Sequence, residues 1–134
     1  MGIGGKMEYF SKKNVDIGFD AAISRLTEEL KKEGFGILTE IDVQKTMKAK
    51  LDIDFRRYKI LGACNPPFAH KALTLESNIG VLLPCNWVVQ ELPSGKVEIS
   101  TINPLVSMRG VNNENLAAIA GEVQQKLSKV LEAI

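Results

Sequence analysis

One histidine, one tryptophan and two cysteines in 134 residues leave little of the usual material for catalysis, metal binding or base stacking. Structural zinc takes four Cys or His donors, and this chain offers three, Cys64, His70 and Cys85. Two cysteines are also too few for the disulfide framework of a small secreted domain, so free thiols in a reducing compartment are expected. Aromatic residues make up only 6% of the chain, and 17 Lys and Arg stand against 16 Asp and Glu, a net charge of +1 with no long run of one sign. Nucleic acid and anionic membrane, which call for basic patches and stacking platforms, are therefore not expected partners. No window approaches the length of a membrane span. The opening MGIGGKMEYF lacks the apolar run of a signal peptide and carries Lys6 where a myristoylation signal has Ser or Thr. A cytoplasmic protein is the expectation.

Several catalytic patterns are missing as well. Gly34-Phe35-Gly36 lacks the third glycine of a dinucleotide loop. No serine lies in a nucleophile elbow, and there is no second histidine for a metalloprotease helix. No repeat, low-complexity stretch or linker interrupts the chain. Residues 7–134 read as one domain preceded by a disordered, glycine-rich extension, 1–6.

What is present is a run of alternating elements. MEYFS opens as a short strand, and Asp16 offers an N-cap to a helix whose Phe19, Ala22, Ile23, Leu26 and Leu30 recur at helical spacing. Lys31, Lys32 and Gly34 signal its end. FGILTEID alternates as a half-buried strand, with Phe35, Ile37, Thr39 and Ile41 sharing a face. Asp42 caps a short helix carrying Val43, Met47 and Leu51. A strand from Phe55 to Cys64 places Arg57 and Lys59 on one side and Tyr58, Ile60, Gly62 and Cys64 on the other, apolar side. Asn65 followed by Pro66 reads as the cap and first residue of a helix reaching Ser77. The longest strand is expected over 80–92, with Val81, Leu83, Cys85, Trp87 and Val89 on one face, although Pro84 invites a bulge. It pairs with KVEISTI through Pro93-Ser94-Gly95. After Asn103-Pro104, a cap at Asn112 or Asn113 opens the terminal helix, striped by Leu116, Ile119, Ala120, Val123, Leu127, Val130, Leu131 and Ile134. Because most strands carry a polar face, a parallel sheet buried on both sides is disfavoured. The expectation is α+β: helices on one side of a largely antiparallel sheet, with the other face wet or used for association.

The two Cys-Asn steps, Cys64-Asn65 and Cys85-Asn86, flank the sole histidine. Strand parity sends both sulfurs inward. Helical geometry turns His70 to the side opposite Phe68, Ala69, Ala72, Leu73 and Leu75, so the three potential ligands should not converge. Two readings of Cys64 remain. It precedes a helix N-terminus, where the positive end of the dipole favours thiolate; it is also a small hydrophobe of a type most often buried. Asn65 and Asn86 fit as hydrogen-bonding residues where the chain changes direction. Glu8 and Glu40 could face each other across strands, but isolated surface carboxylates are ordinarily solvated.

At YKILGACNPPFAHKAL and IGVLLPCNWVVQE, with the helix stop KKEGFGILTEIDVQKTMKAKL, the Asn103-Pro104 step and the long closing helix, the chain strongly resembles the bacterial and archaeal family called domain of unknown function 302. Its signature falls here on Gly62, Cys64, Asn65, Pro66, Leu83, Pro84, Cys85 and Asn86. The resemblance implies a fold like half of the TATA-binding protein, strand, helix, four antiparallel strands and helix with small decorating helices, assembling as a homodimer. It carries no established activity. Position 103 looks more often acidic in such proteins, so Asn103 counts against carboxylate chemistry there.

The functional expectation is a homodimeric module that binds a small molecule or protein partner, with no cofactor, metal or chemistry of its own. Cys64, Asn65, Pro66, His70, Cys85 and Asn86 are its candidate binding residues. Leu61, Ala63, Val88 and Ile102 are candidates for an interface on the outward sheet face. A thiol-dependent enzyme or redox sensor using Cys64 and Cys85 is the alternative.

Overall fold

The computed structural model describes residues 8–134. The expected extension over 1–6 lies outside the described residues. Strand β1 (Phe10–Val15) leads to helix α1 (Phe19–Lys32), β2 (Gly36–Asp42) and the short α2 (Val43–Leu51). Next come β3 (Tyr58–Cys64), α3 (Pro66–Leu75), a 3₁₀ helix (Ser77–Leu82), β4 (Cys85–Glu91) and β5 (Val97–Ile102). The four-residue α4 (Pro104–Ser107) and the long α5 (Glu114–Ala133) close the chain. The five strands form one sheet in the order β1-β5-β4-β3-β2, antiparallel at every pairing. Without the decorating α2, α3 and α4, this is the β-α-β4-α order that the resemblance implies.

The main layer forms because two helices carry apolar stripes at the right period. Phe19, Ala22, Leu26 and Leu30 of α1 and Val123, Leu127, Val130 and Leu131 of α5 pack on one face of the sheet. They meet Leu61, Ala63, Cys85, Trp87, Val89, Val97 and Ile99 from the strands. At the end of α1 the chain makes a paired stop: the Phe35 amide donates to the Leu30 carbonyl at 2.9 Å and the Gly34 amide to that of Lys31 at 3.1 Å. This closure needs a left-handed residue, and Gly34 supplies it at φ 85°. Asn113 caps α5, its side-chain oxygen accepting from the amides of Asn115 and Leu116. The turn between β4 and β5 closes with the Leu92 amide donating to the Lys96 carbonyl, and Gly95 has a φ of 87°.

Several expectations are corrected. The first strand begins at Phe10 rather than near Met7, and α1 starts after Gly18 with no side-chain cap, so Asp16 does not cap it. The segment 80–84 is not strand: the 3₁₀ helix occupies Ser77–Leu82, a cis Leu83–Pro84 bond follows, and β4 begins at Cys85. In β3 the faces are reversed. Leu61 and Ala63 are buried against the helices, so neither can form an outward interface, while Tyr58, Ile60 and Gly62 lie on the free face. In β2 the register shifts between Ile37 and Thr39, an extra residue at Leu38 that moves Thr39 and Ile41 to the free face. Glu8 and Glu40 do not meet. Glu40 belongs to β2 and Glu8 precedes β1, the two opposite edges of the sheet.

Candidate functional site

Where β3 ends and β4 begins, the helical layer does not close completely. The facing positions are small: Ala63 on β3, Ala69 and Ala72 on α3, Gly80 on the 3₁₀ helix and Ala120 on α5. Space that larger side chains would fill remains as a groove of about 340 Å³, toward the small end of the roughly 300–1,000 Å³ typical of small-molecule sites. Phe35, Phe68, Leu83, Met108, Ile119 and Val123 complete most of its walls. Leu38 and Leu73, 68% and 44% exposed, stand at the more open part.

Three of the sequence candidates reach this groove: Cys64, Asn65 and Cys85. Asn65 is buried, and both its polar atoms are hydrogen-bonded. Its side-chain oxygen accepts from the Phe68 amide at 3.5 Å, capping α3, and its Nδ2 donates to the Glu33 carbonyl at 3.2 Å. One side chain thus joins the end of α1 to the start of α3, with Pro66 at the first helical position where no amide is needed. Gly34 leaves room for this link, because a Cβ there would lie 3.1 Å from Asn65 Nδ2.

The two thiols differ. Cys85 is buried on the core face of β4, and burial, followed by the neighbouring Cys64, pushes its pKa up to about 11. It is a neutral thiol near pH 7. Cys64 is half-buried, and both cysteines are free. Parity alone would place Cys64 with Gly62 on the free face, but the ladder between β3 and β4 ends with the pair Ala63 and Cys85. Cys64 stands one residue past that last pair, still paired with Gly36 of the edge strand β2, and Asn65 after it caps α3.

The remaining candidates stand elsewhere. Pro66 and His70 are exposed and do not line the groove. Asn86 points to the free face of the sheet opposite Gly62 and borders a separate hollow with Tyr58, Val88, Gln90 and Ile102. Cys64, His70 and Cys85 therefore do not form a common site. Among the described residues, no three His, Cys, Asp or Glu side chains gather in a metal-binding group, and no helix is long and apolar enough to cross a membrane. Sequence reasoning missed Met108, Ala120 and Leu38. Ala120 was visible as a small residue in the stripe of α5, but only its placement opposite Ala69 and Ala72 turns a small side chain into space.

The family model described as domain of unknown function DUF302 matches residues 11–134. The chain belongs to the DUF302 family. A crystal structure of an uncharacterized conserved DUF302 protein from Bacillus stearothermophilus is similar to it, with a TM-score of 0.88 at 30% identity over 95% of this chain and 98% of that one. No curated protein matches.

The DUF302 signature residues have separate physical roles here. Asn65 joins two helices, Cys85 fills the core, and Gly62 leaves room on the free face for Thr39 and Pro84. Asn103 accepts from the Leu105 amide at 3.1 Å and donates to the Glu8 carbonyl at 3.4 Å. A carboxylate could keep the first bond but not the second. The asparagine therefore ties the entry of β1 to the start of α4.

Proposed function

We propose that this DUF302 domain is a binding module that performs no covalent chemistry, takes a small molecule in the groove beside Cys64, Asn65 and Cys85, and works as a homodimer. The groove itself carries the reading, because an apolar concavity of that size, walled by residues from several elements, is the usual form of a small-molecule site. Supporting the absence of chemistry, Asn65 spends both polar atoms on the fold and Cys85 is held protonated. Two free cysteines fit a reducing cytoplasm.

Dimerisation is assigned to the free face of the sheet. Both edges are protected against strand addition, β1 by Lys12 and Lys13 and β2 by its bulge with Glu40 and Asp42. The free face instead presents half-buried Phe10, Tyr58, Ile60, Val88 and Ile102. Sedimentation should show a dimer that Val88→Glu converts to monomer; a wild-type monomer at high micromolar concentration sinks the dimer. For the groove, iodoacetamide labelling of Cys64 in the native protein should slow when a bound small molecule covers it.

A second reading, thiol chemistry at Cys64, is favoured by its partial exposure just before the N-terminus of α3. The same labelling decides between them. Rapid modification of Cys64 near neutral pH supports a reactive thiol, and modification only after denaturation removes it.

A further inference from the structure

The lining of the groove limits the chemistry of what can occupy it. No Lys, Arg, His, Asp or Glu side chain lines it. Its one amide, Asn65, already accepts from Phe68 and donates to Glu33. Thr39 borders it from the bulged edge strand beside exposed Leu38, with its hydroxyl turned toward Gly62 on the free face of the sheet. The deep wall is Ala63, Cys85, Ala120 and Val123, all from the apolar core side. A phosphate, carboxylate or sugar placed there would lose hydration and find no replacement partner. The open side is apolar too, with Leu38 and Leu73.

We infer that the groove holds the uncharged hydrocarbon portion of an apolar small molecule, an alkyl chain or compact ring system, and rejects charged and hydroxyl-rich metabolites. This rests on the reading of the groove as a ligand site and adds the ligand class. Ala69, half-buried on α3, sets the width of the groove from the side that can be altered with least disturbance of the sheet core.

The test titrates the full chain with N-phenyl-1-naphthylamine, an uncharged probe that fluoresces in apolar surroundings, and then adds competitors. Saturable binding displaced by 1-decanol, and not by AMP, glucose or glutamate, is expected. A decyl lysophospholipid supplies the second arm. Displacement by it identifies a lipid tail whose headgroup stays outside, and failure to displace identifies a free small molecule. Ala69→Phe, and independently Ala69→Leu, should weaken probe binding by about tenfold or more by filling the space, with circular dichroism retained; His70→Ala, at an exposed position of the same helix that does not line the groove, should bind normally. Probe affinity unchanged in both filling variants places the probe elsewhere and overturns the inference. If AMP, glucose or glutamate instead protects Cys64 from iodoacetamide in the wild type and not in the filling variants, the ligand class is wrong while the site stands. If no probe binds and nothing protects Cys64, the ligand site itself fails.

Discussion

Gly62→Ala adds one methyl at the most crowded point of the free sheet face. Gly62 pairs with Asn86 on β4 and with Thr39 on β2. A Cβ built there would lie 2.6 Å from Cγ of Pro84 and closer still to Oγ1 of Thr39. The two collisions are unequal. Thr39 sits on an edge strand and can rotate its side chain away, whereas the Pro84 ring is tied into the backbone leading to Cys85, and moving it disturbs the wall of the groove. Overpacking of this kind costs about 1–3 kcal/mol, offset by about 0.4–1 kcal/mol because alanine narrows the unfolded ensemble. The expected net loss is about 1–2 kcal/mol, and at roughly 3–6 °C per kcal/mol for a domain of this size the melting midpoint should fall by several degrees. Calorimetry gives the midpoint, and urea titration with an unchanged m-value verifies that the surface exposed on unfolding is the same. In a double-mutant cycle, Pro84→Ala should recover most of the loss and Thr39→Ser should not. A Gly62→Ala protein melting within about 1 °C of wild type would mean that neither neighbour constrains the site, and the reasoning would be wrong.

Asn65→Ala should destabilise by about 1–2 kcal/mol through loss of the α3 cap, with a further cost for the Glu33 carbonyl left without its donor. Asn65→Asp keeps the acceptor but loses that donor, so its urea midpoint should fall between those of wild type and Asn65→Ala. For Cys85, the unfolded thiol releases its proton near pH 9.0 and the folded one near 11. Its neutral-form stabilisation is therefore complete below pH 9 and declines as pH rises toward 11. Compared across that window, wild type should lose stability that Cys85→Ala does not, and parallel curves would refute the burial argument. Trp87 is fully buried, and among the described residues its indole N–H has no partner. Trp87→Phe removes that unpaired donor, so its cost should stay below about 2 kcal/mol, well under the roughly 3–5 kcal/mol of a cavity-forming change to Ala. A larger loss by urea denaturation would show that the N–H is satisfied.

The elements whose signals are local were legible in the sequence. The stripes of α1 and α5, the Gly34 stop and the caps at Asn65 and Asn113 each depend on residues within one or two turns, and all form as read. The faces of β3 were misread because Arg57 and Lys59 looked like solvent-facing charges. Lys59 shares the core-facing parity of Leu61 but lies toward the end of the layer, where it reaches Glu40 at 2.7 Å, an interaction that raises its pKa. Arg57, just before the strand, lays its guanidinium over the Phe19 ring at 4.3 Å and pairs with Asp20 at 2.9 Å. Long cationic side chains can cover apolar surface and still end in water, so charge alone does not assign a strand face. The run Gly80 to Leu83 was misread for a different reason. A short apolar stretch has no period long enough to separate strand from helix, and here Ile79 serves the small cluster with Ala72 and Leu116 as part of a 3₁₀ turn.

The groove was only half visible, because the Cys-Asn repetition conceals opposite phases. In the first step the cysteine is half-exposed and the asparagine buried; in the second the cysteine is buried and the asparagine exposed. The register explains the inversion. Cys85 is the first residue of β4 and pairs with Ala63 on the core face, while Cys64 is the last residue of β3, one beyond the ladder with β4 and paired with Gly36 of the edge strand β2. Two identical dipeptides thus bring their sulfurs to one groove from different structural regimes. Cys85 is fixed, neutral and part of the core, and Cys64 stands where the wall meets solvent. Whatever enters the groove alters the surroundings of both, but only at Cys64 is there solvent exposure to lose, so Cys64 is the position at which occupancy becomes chemically visible.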